Sequence, residues 1–200
     1  MTTVSVILFD LGRVLVHIDF EAFPRMLGIQ RNRVNNADEA AIEKIAIQYE
    51  TGRITTEQFF GLLDEALHHK FTRPQLLAAW NAIIEEENSV IGPIIDGVQA
   101  RYRTAILSNT SPTHFQKAID TSPIIRKFSK WYLSYEIGVM KPDAGVYKYV
   151  IDDLKTDPSA ILFIDDIPLN IAAARKCGMQ GIVFEGISQL KSELRLRGIL

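Results

Sequence analysis

The stretch that decides the fold is Val4-Ser5-Val6-Ile7-Leu8-Phe9, a run rich in β-branched and aromatic residues that ends directly in Asp10. The run is mostly apolar rather than alternating, which is typical of a strand covered on both faces of a parallel sheet. Four later runs are predicted strands as well: Thr104–Leu107, Trp131–Leu133, Ile161–Ile164 and Gly181–Phe184. The sequence therefore predicts several buried parallel strands.

Helical patterns separate these strands from residue 93 onward. The apolar residues Tyr147, Val150, Ile151 and Leu154 follow the spacing of one helix face. Ser111-Pro112 and Pro168 carry helix-start signals, and Gly178 follows the end of the second of these helices, at Lys176. Alternation of strands and helices predicts a doubly wound α/β domain with a parallel sheet.

Residues 19–90 differ, because they show helical patterns and no convincing strand. Thr55 to Gln58 and Thr72 to Gln75 both match the capping-box spacing at a helix start. Gly52 breaks the pattern between two helices. We therefore predict a helical domain at 19–90, inserted after the first strand into a core domain formed by 1–18 and 91–200.

Composition excludes several classes of protein. The chain has 200 residues, 47% hydrophobic, and a net charge of −2, so a folded core is expected and binding to nucleic acid or an anionic membrane is not. The single cysteine, Cys177, excludes an internal disulfide framework and a cysteine-rich zinc site. No run approaches the roughly 20 apolar residues of a membrane helix, and the first ten residues lack the basic segment of a signal peptide. A cytoplasmic protein is expected, and the sequence does not indicate its oligomeric state.

Polar residues follow the predicted strands at their carboxyl ends, where open α/β sheets bind ligands. Asp10 follows the first strand, Ser108 the second, and Asp165-Asp166 a later one, while Lys141 precedes a helix. Three carboxylates could share Mg²⁺, which prefers oxygen ligands. The combination predicts phosphoryl transfer, with Asp10 as nucleophile and Lys141 opposing the negative charge of the transition state.

Four ordered motifs carry a family resemblance: Phe9-Asp10-Leu11-Gly12, Leu107-Ser108-Asn109, Met140-Lys141-Pro142, and Phe163-Ile164-Asp165-Asp166 with Asn170. The chain resembles the haloacid dehalogenase-like (HAD) superfamily, and more closely the branch containing a bacterial glucose-1-phosphate phosphatase and epoxide-hydrolase-like phosphatase domains. The resemblance implies a Rossmann-like core, and it implies that the helical insertion is that family's small cap.

The resemblance also implies residue roles and a Mg²⁺-dependent phosphatase of small phosphorylated metabolites, with sugar phosphates favoured. Asp10 would be the nucleophile and Lys141 would bridge it to the phosphate. The other implied roles are phosphate binding by Ser108 and Asn109, metal binding by Asp10, Asp165, Asp166 and the backbone carbonyl of Gly12, and support of the motif-four loop by Asn170.

One position departs from the phosphatase pattern. The family's second aspartate, a general acid and base two residues after the nucleophile, is here Gly12. Such a group is typically worth about 10²–10⁴-fold in rate. Either the leaving group therefore needs little protonation, or another group or water supplies the proton, or activity is low. His17 and Asp19, near the start of the insertion, are candidates.

Two alternatives stay open. A 2-haloacid dehalogenase would use the same aspartate and need no acid at Gly12, but the Asp165-Asp166 pair argues against it because such enzymes need no metal. A non-catalytic HAD-like binding protein would explain Gly12, but not the retained Asp10, Ser108 and Lys141. In the insertion, Tyr49 and Glu50 are interpreted as packing or surface residues. Trp80 is interpreted as a packing residue, with the alternative that it lines the insertion side of a pocket.

Overall fold

A five-stranded parallel sheet forms the centre of the computed structural model, which describes residues 3–29 and 36–200. The strand order is β5 (Trp131–Leu133), β4 (Arg103–Ser108), β1 (Val6–Phe9), β6 (Ile161–Asp165) and β7 (Gln180–Val183). The five predicted strands are thus confirmed, with ends that differ by at most two residues. The doubly wound α/β fold class is confirmed with them.

Strand β1 occupies the middle of the sheet, paired in parallel with β4 on one side and β6 on the other. Its four residues are fully buried. Ile7 and Phe9 pack into an apolar cluster on one face, and Val6 and Leu8 pack into a second cluster on the other. Burial on both faces explains why the strand is continuously apolar.

Six helices surround the sheet: α5 (Gly92–Gln99), α6 (Pro112–Thr121), α7 (Ser134–Ile137), α8 (Ala144–Leu154), α9 (Pro168–Lys176) and α10 (Ile187–Leu196). Short 3₁₀ turns lie at Ser89–Ile91, Ile125–Lys127 and Pro158–Ala160. The start signals hold, since Ser111 accepts a hydrogen bond from the His114 backbone N–H and Pro112 begins α6. Gly178 has φ +92° directly after α9, a conformation that favours glycine.

Between β1 and α5 the described residues form four helices, called here the helical insertion: α1 (Ala22–Met26), α2 (Asn36–Glu50), α3 (Thr56–Ala66) and α4 (Arg73–Asn81). They share a separate apolar cluster, in which Tyr49 stacks on Phe59 with ring centroids 4.2 Å apart. The first predicted capping box is reciprocal: Gln58 and Thr55 each accept from the other's backbone N–H. At the second, Gln75 Oε1 accepts from the Thr72 backbone N–H at 2.8 Å.

The expectation of no strand within 19–90 is wrong. Ile84–Glu87 forms strand β3, which pairs antiparallel with β2 (Val16–Ile18) at the base of the insertion. Three consecutive glutamates hide this strand from a pattern search. Glu87 is accommodated because its carboxylate accepts hydrogen bonds from the Ser122 hydroxyl and the Ile124 backbone N–H, at 2.5 and 2.7 Å.

The insertion is fastened to the first turns of α6. Trp80 Nε1 donates to Ser111 Oγ at 3.3 Å, and the Tyr49 hydroxyl lies 3.5 Å from Thr113 Oγ1. Gly52 (φ +65°) fits so closely against the Tyr135 carbonyl that a Cβ atom would collide with it. The predicted domain boundaries stay a prediction, and their residues 1–2 and 30–35 lie outside the described part of the chain. Among the described residues, every helix is too short or too polar to cross a bilayer.

Candidate active site

The predicted site residues meet because they end three adjacent strands. Asp10 follows β1, Ser108 is the last residue of β4, and Asp165 is the last residue of β6. The sheet order places β1 between the other two. The carboxyl edge of the sheet therefore gathers side chains that are up to 155 residues apart in sequence.

Lys141 is the centre of this cluster. Its ammonium donates to Asp10 Oδ1 and Asp165 Oδ2, both at 2.7 Å, and to the Leu107 carbonyl at 3.0 Å. The side chain is 2% exposed, and the two carboxylates are 10% and 0% exposed. Buried charges of this kind persist only when they are paired and hydrogen-bonded, and the three donor hydrogens of the lysine are all used.

Asp165 is held on every side by protein donors. Asn170 Nδ2 lies 3.0 Å from both of its carboxylate oxygens, and the Ile167 backbone N–H donates to Oδ1 at 2.8 Å. Asn170 is fixed in turn, because its backbone carbonyl accepts a hydrogen bond from the Tyr147 hydroxyl at 2.9 Å. Asp165 therefore holds Lys141 in place, and the predicted supporting position of Asn170 has a direct geometric basis.

Asp166 completes a group that could hold a metal ion. One carboxylate oxygen from each of Asp10, Asp165 and Asp166 lies within 4.8 Å of the others. Asp166 has few protein partners, of which Arg13 Nη1 is 3.5 Å away and half exposed. Because Asp165 already accepts four hydrogen bonds, the geometry favours Asp10 and Asp166 as direct ligands of a hard cation.

In the described part of the chain, the cluster has three carboxylates but only one buried lysine, so negative charge is in excess. Burial raises the pKa of Asp10 to about 7, against the opposing charge of Lys141. Burial also raises the pKa of Asp166, and the neighbouring Asp165 adds to this effect. For Lys141 burial acts downward, but the two carboxylates outweigh it and raise its pKa. A divalent cation among these groups would favour ionised carboxylates.

The predicted phosphate-binding residues line the same cavity but differ in what they offer. Ser108 is buried, and its hydroxyl makes only a long bond of 3.3 Å to the Asn109 carbonyl. The Asn109 side chain is already engaged: it donates to the Lys141 carbonyl and accepts from the Lys141 backbone N–H, both at 2.8 Å. Asn109 thus positions the Lys141 backbone, and only its main chain is left to meet a phosphate.

The space beside Gly12 is filled by an apolar side chain. A Cβ atom at Gly12 would lie 3.2 Å from Cγ1 of Ile18. An aspartate at this position, as in the phosphatase pattern, would therefore have its Cβ atom in tight contact with Ile18. The two candidate replacements lie outside the cavity: His17 is exposed, and Asp19 pairs with Arg25 at 2.6 Å.

A cavity of about 550 Å³ lies between the sheet edge and the helical insertion. Its floor contains Asp10, Ser108 and Lys141, and its opposite wall contains Ile47, Glu50 and Trp80. The wall position of Glu50 departs from the packing or surface interpretation, whereas that of Trp80 agrees with the alternative of lining a pocket. Tyr49 is buried, in agreement with a packing residue. His114, which had no signal in the sequence, also lines the cavity.

Comparison with known proteins agrees with this geometry. The chain is 27% identical over 199 residues to the D-ribitol-5-phosphate phosphatase of Bacteroides thetaiotaomicron, covering 94% of this chain and 95% of that protein. It is 25% identical to the bifunctional epoxide hydrolase 2 of Rattus norvegicus, over 72% of this chain and 28% of that one.

Solved structures have the same fold. A HAD-family enzyme from Bacteroides thetaiotaomicron, in complex with magnesium and inorganic phosphate, superimposes with a TM-score of 0.82 at 27% identity. The match covers 94% of this chain and 98% of that one. The model of the haloacid dehalogenase-like hydrolase family matches residues 4–178. The chain therefore belongs to the haloacid dehalogenase-like hydrolase family.

Proposed function

We propose that the protein is a Mg²⁺-dependent phosphatase of small phosphorylated metabolites that acts through an aspartyl-phosphate on Asp10. The observation that carries the proposal is the Lys141 ammonium, held 2.7 Å from Asp10 at the floor of a cavity that Asp166 and Ser108 also line. A buried lysine in that place both fixes the nucleophile and opposes the charge of an incoming phosphate.

The reaction has two displacements. Asp10 attacks phosphorus, and the bond from phosphorus to the leaving oxygen breaks, with its electron pair going to that oxygen. Water then attacks the phosphorus of the aspartyl-phosphate, which releases inorganic phosphate and regenerates Asp10. Lys141 stays beside the reacting group in both steps, and Ser108 offers its hydroxyl to a phosphate oxygen.

The donor set fits Mg²⁺. Asp10 and Asp166 would hold the ion with the backbone carbonyl of Gly12, and Asp165 would act indirectly because its oxygens are occupied. When bound, the ion would reduce the repulsion between the Asp10 carboxylate and a phosphate dianion. The magnesium and phosphate held by the Bacteroides enzyme support this assignment.

We further propose that residues 19–90 act as a cap over a core of residues 1–18 and 91–200. The cavity wall opposite Asp10 comes from α2 and α4, so the insertion shapes the space that a leaving group must occupy. A polyol or sugar phosphate is the favoured substrate class, since the Bacteroides relative is a D-ribitol-5-phosphate phosphatase.

The test is phosphate release from an aryl phosphate and from a panel of sugar and polyol phosphates, with Mg²⁺ and with a chelator. Asp10→Asn is the matched variant, because it keeps the shape of the nucleophile and removes its charge. We expect turnover that needs Mg²⁺ and is lost in Asp10→Asn. Absence of turnover on every phosphate, by folded protein that binds Mg²⁺, would contradict the proposal.

The dehalogenase alternative has one structural point in its favour, the apolar surroundings of Gly12. A 2-haloacid is therefore included in the panel. Chloride release that is unaffected by chelator would replace the phosphatase proposal with this one.

A further inference from the structure

The proposed phosphatase lacks a proton donor at the usual place, two residues after the nucleophile. Gly12 has no side chain, and a Cβ atom at this position would lie in tight contact with Ile18, 3.2 Å from its Cγ1. An alkoxide leaving group needs a proton as the bond to phosphorus breaks. A side chain that borders the cavity is one source of that proton.

Few titratable groups of the described chain line this cavity, and most are already engaged. Asp10 is the nucleophile, Lys141 is held by two carboxylates, and Asp166 faces the metal position. His114 Nε2 is hydrogen-bonded to the Trp80 carbonyl at 2.8 Å. Burial lowers the pKa of His114 to about 4, so it is neutral at neutral pH.

The remaining groups are Arg13, Glu43 and Glu50. Arg13 is exposed and its guanidinium does not give up a proton at neutral pH. Glu43 and Glu50 both lie on α2, seven residues apart, and Glu43 is the more exposed of the two. Glu50 is largely sheltered, and within the described residues its carboxyl has no hydrogen-bond or ion-pair partner.

Glu50 also stands on a firmly anchored part of the insertion. It ends α2, directly after Tyr49, which is buried and stacked on Phe59. Two residues later, Gly52 packs against the Tyr135 carbonyl of the core. The backbone that carries Glu50 is therefore held between two contacts, and Glu50 itself lines the cavity.

We propose that Glu50 is the general acid and base of the reaction, supplied by the helical insertion in place of the missing side chain at Gly12. The inference rests on the proposed phosphatase function. In the first displacement the Glu50 carboxyl gives its proton to the leaving oxygen, which departs as an alcohol. In the second, the Glu50 carboxylate takes a proton from the attacking water, so that the enzyme returns to its starting state.

The protonation of Glu50 fits both steps. Burial raises the pKa of Glu50 to about 7, so both forms are populated near neutral pH. A proton donor works best when its pKa lies near the working pH.

The test compares the activity of Glu50→Gln on two substrates with different leaving groups. The substitution keeps the size of the side chain and removes its acidity. One substrate is ribitol 5-phosphate, whose alkoxide needs a proton. The other is 2,4-dinitrophenyl phosphate, whose phenolate leaves without one. We expect kcat/KM for the first to fall about 10²–10⁴-fold. For the second, kcat/KM should stay within a few-fold of wild type, and a burst of phenolate should precede slow turnover because the base for the second step is lost.

Glu43→Gln is the matched control, on the same helix, and should show no such split. An equal fall on both substrates would mean that Glu50 serves binding or folding, and no fall on either would mean that it does not transfer a proton. Both results would overturn the inference. If Glu50→Gln does not fold, Glu50→Ala is measured in the same way. If the wild type itself turns over neither substrate, that result would instead contradict the phosphatase proposal.

Discussion

The rings of Trp80 and His114 stack with centroids 4.6 Å apart and planes 10° from parallel. The tryptophan belongs to the helical insertion and the histidine to α6 of the core. His114 is buried and donates from Nε2 to the Trp80 carbonyl. Two residues thus join the insertion to the core by ring contact and by a hydrogen bond.

This contact predicts a loss of stability in acid. The folded-state pKa of His114, about 4, lies below the ordinary histidine value of 6.5. The unfolded chain therefore binds more protons between these values, so stability is lost as the pH falls from about 6.5 to 4. The loss attributable to His114 is on the order of 3 kcal/mol. The free energy of unfolding, measured with urea at pH 7 and pH 4.5, should differ less between the two pH values for His114→Gln than for wild type. The substitution of an exposed histidine, His69→Gln, should leave this difference unchanged.

The raised pKa of Glu50 predicts the opposite dependence of stability on pH. The folded-state pKa, about 7, lies above the ordinary glutamate value of 4.5. The stabilising effect of the neutral form is present below about 4.5 and is lost as the pH rises through about 7, again on the order of 3 kcal/mol. Without Mg²⁺, the melting temperature of Glu50→Gln should therefore rise relative to that of wild type between pH 5 and pH 8. The other charged and titratable groups that line the same cavity are Glu43, Arg13, Asp10, Lys141, Asp166 and His114. The adjoining helix α7 carries Tyr135 and Glu136. A slope unchanged by the substitution would show that one of these groups causes it.

Removing Lys141 should destabilise the protein and abolish turnover. Lys141→Met leaves two buried carboxylates, Asp10 and Asp165, without their counter-charge. Breaking a buried pair in this way costs about 3–5 kcal/mol. The free energy of unfolding from urea titration is the measurement, and the exposed Lys148→Met is the control. A loss below about 1 kcal/mol would be that of a surface pair and would contradict the geometry.

Asn170 should matter for metal affinity more than for the fold. Its side-chain amide lies 3.0 Å from both oxygens of Asp165, beside the proposed magnesium ligand Asp166. Loss of such a supporting partner typically costs about 10–100-fold in metal affinity. The Mg²⁺ concentration that half-activates Asn170→Ala should rise by that factor. An unchanged concentration would show that Asp165 and its partners do not influence the ion.

Restoring an acid at Gly12 should succeed only when room is made for it. In a Glu50→Gln background, Gly12→Asp alone should not recover activity on ribitol 5-phosphate, because its Cβ atom meets Ile18 at 3.2 Å. Adding Ile18→Ala should recover at least about tenfold, since a positioned acid is worth about 10²–10⁴-fold. Recovery without Ile18→Ala would show that the isoleucine moves aside freely.

The sequence predicts the sheet and the floor of the site well, for a local reason. Buried parallel strands are short apolar runs, and the residues that follow them, such as Asp10 and Asp165, must meet at one edge. Strand β3 escapes prediction because its three glutamates contradict the pattern of a buried strand. Its pairing with β2 and the hydrogen bonds of Glu87 depend on segments that are distant in sequence.

The upper wall of the cavity could not be predicted. Whether Glu50 faces solvent, the interior of the insertion or the cavity depends on how α2 is set against the core, and no local pattern encodes that. The same holds for Asn109, whose side chain turns to the Lys141 backbone rather than to the cavity. A residue's role at such a boundary follows from tertiary contact.

The Trp80–His114 stack also provides an intrinsic optical probe. The chain has only two tryptophans, and the other, Trp131, lies in the core against Phe115. A displacement of the insertion from the core would remove the Trp80 indole from its stacked imidazole and expose it to water, while leaving the surroundings of Trp131 unchanged. The emission of Trp80 in a Trp131→Phe background would thus follow the opening and closing of the cavity without any attached label.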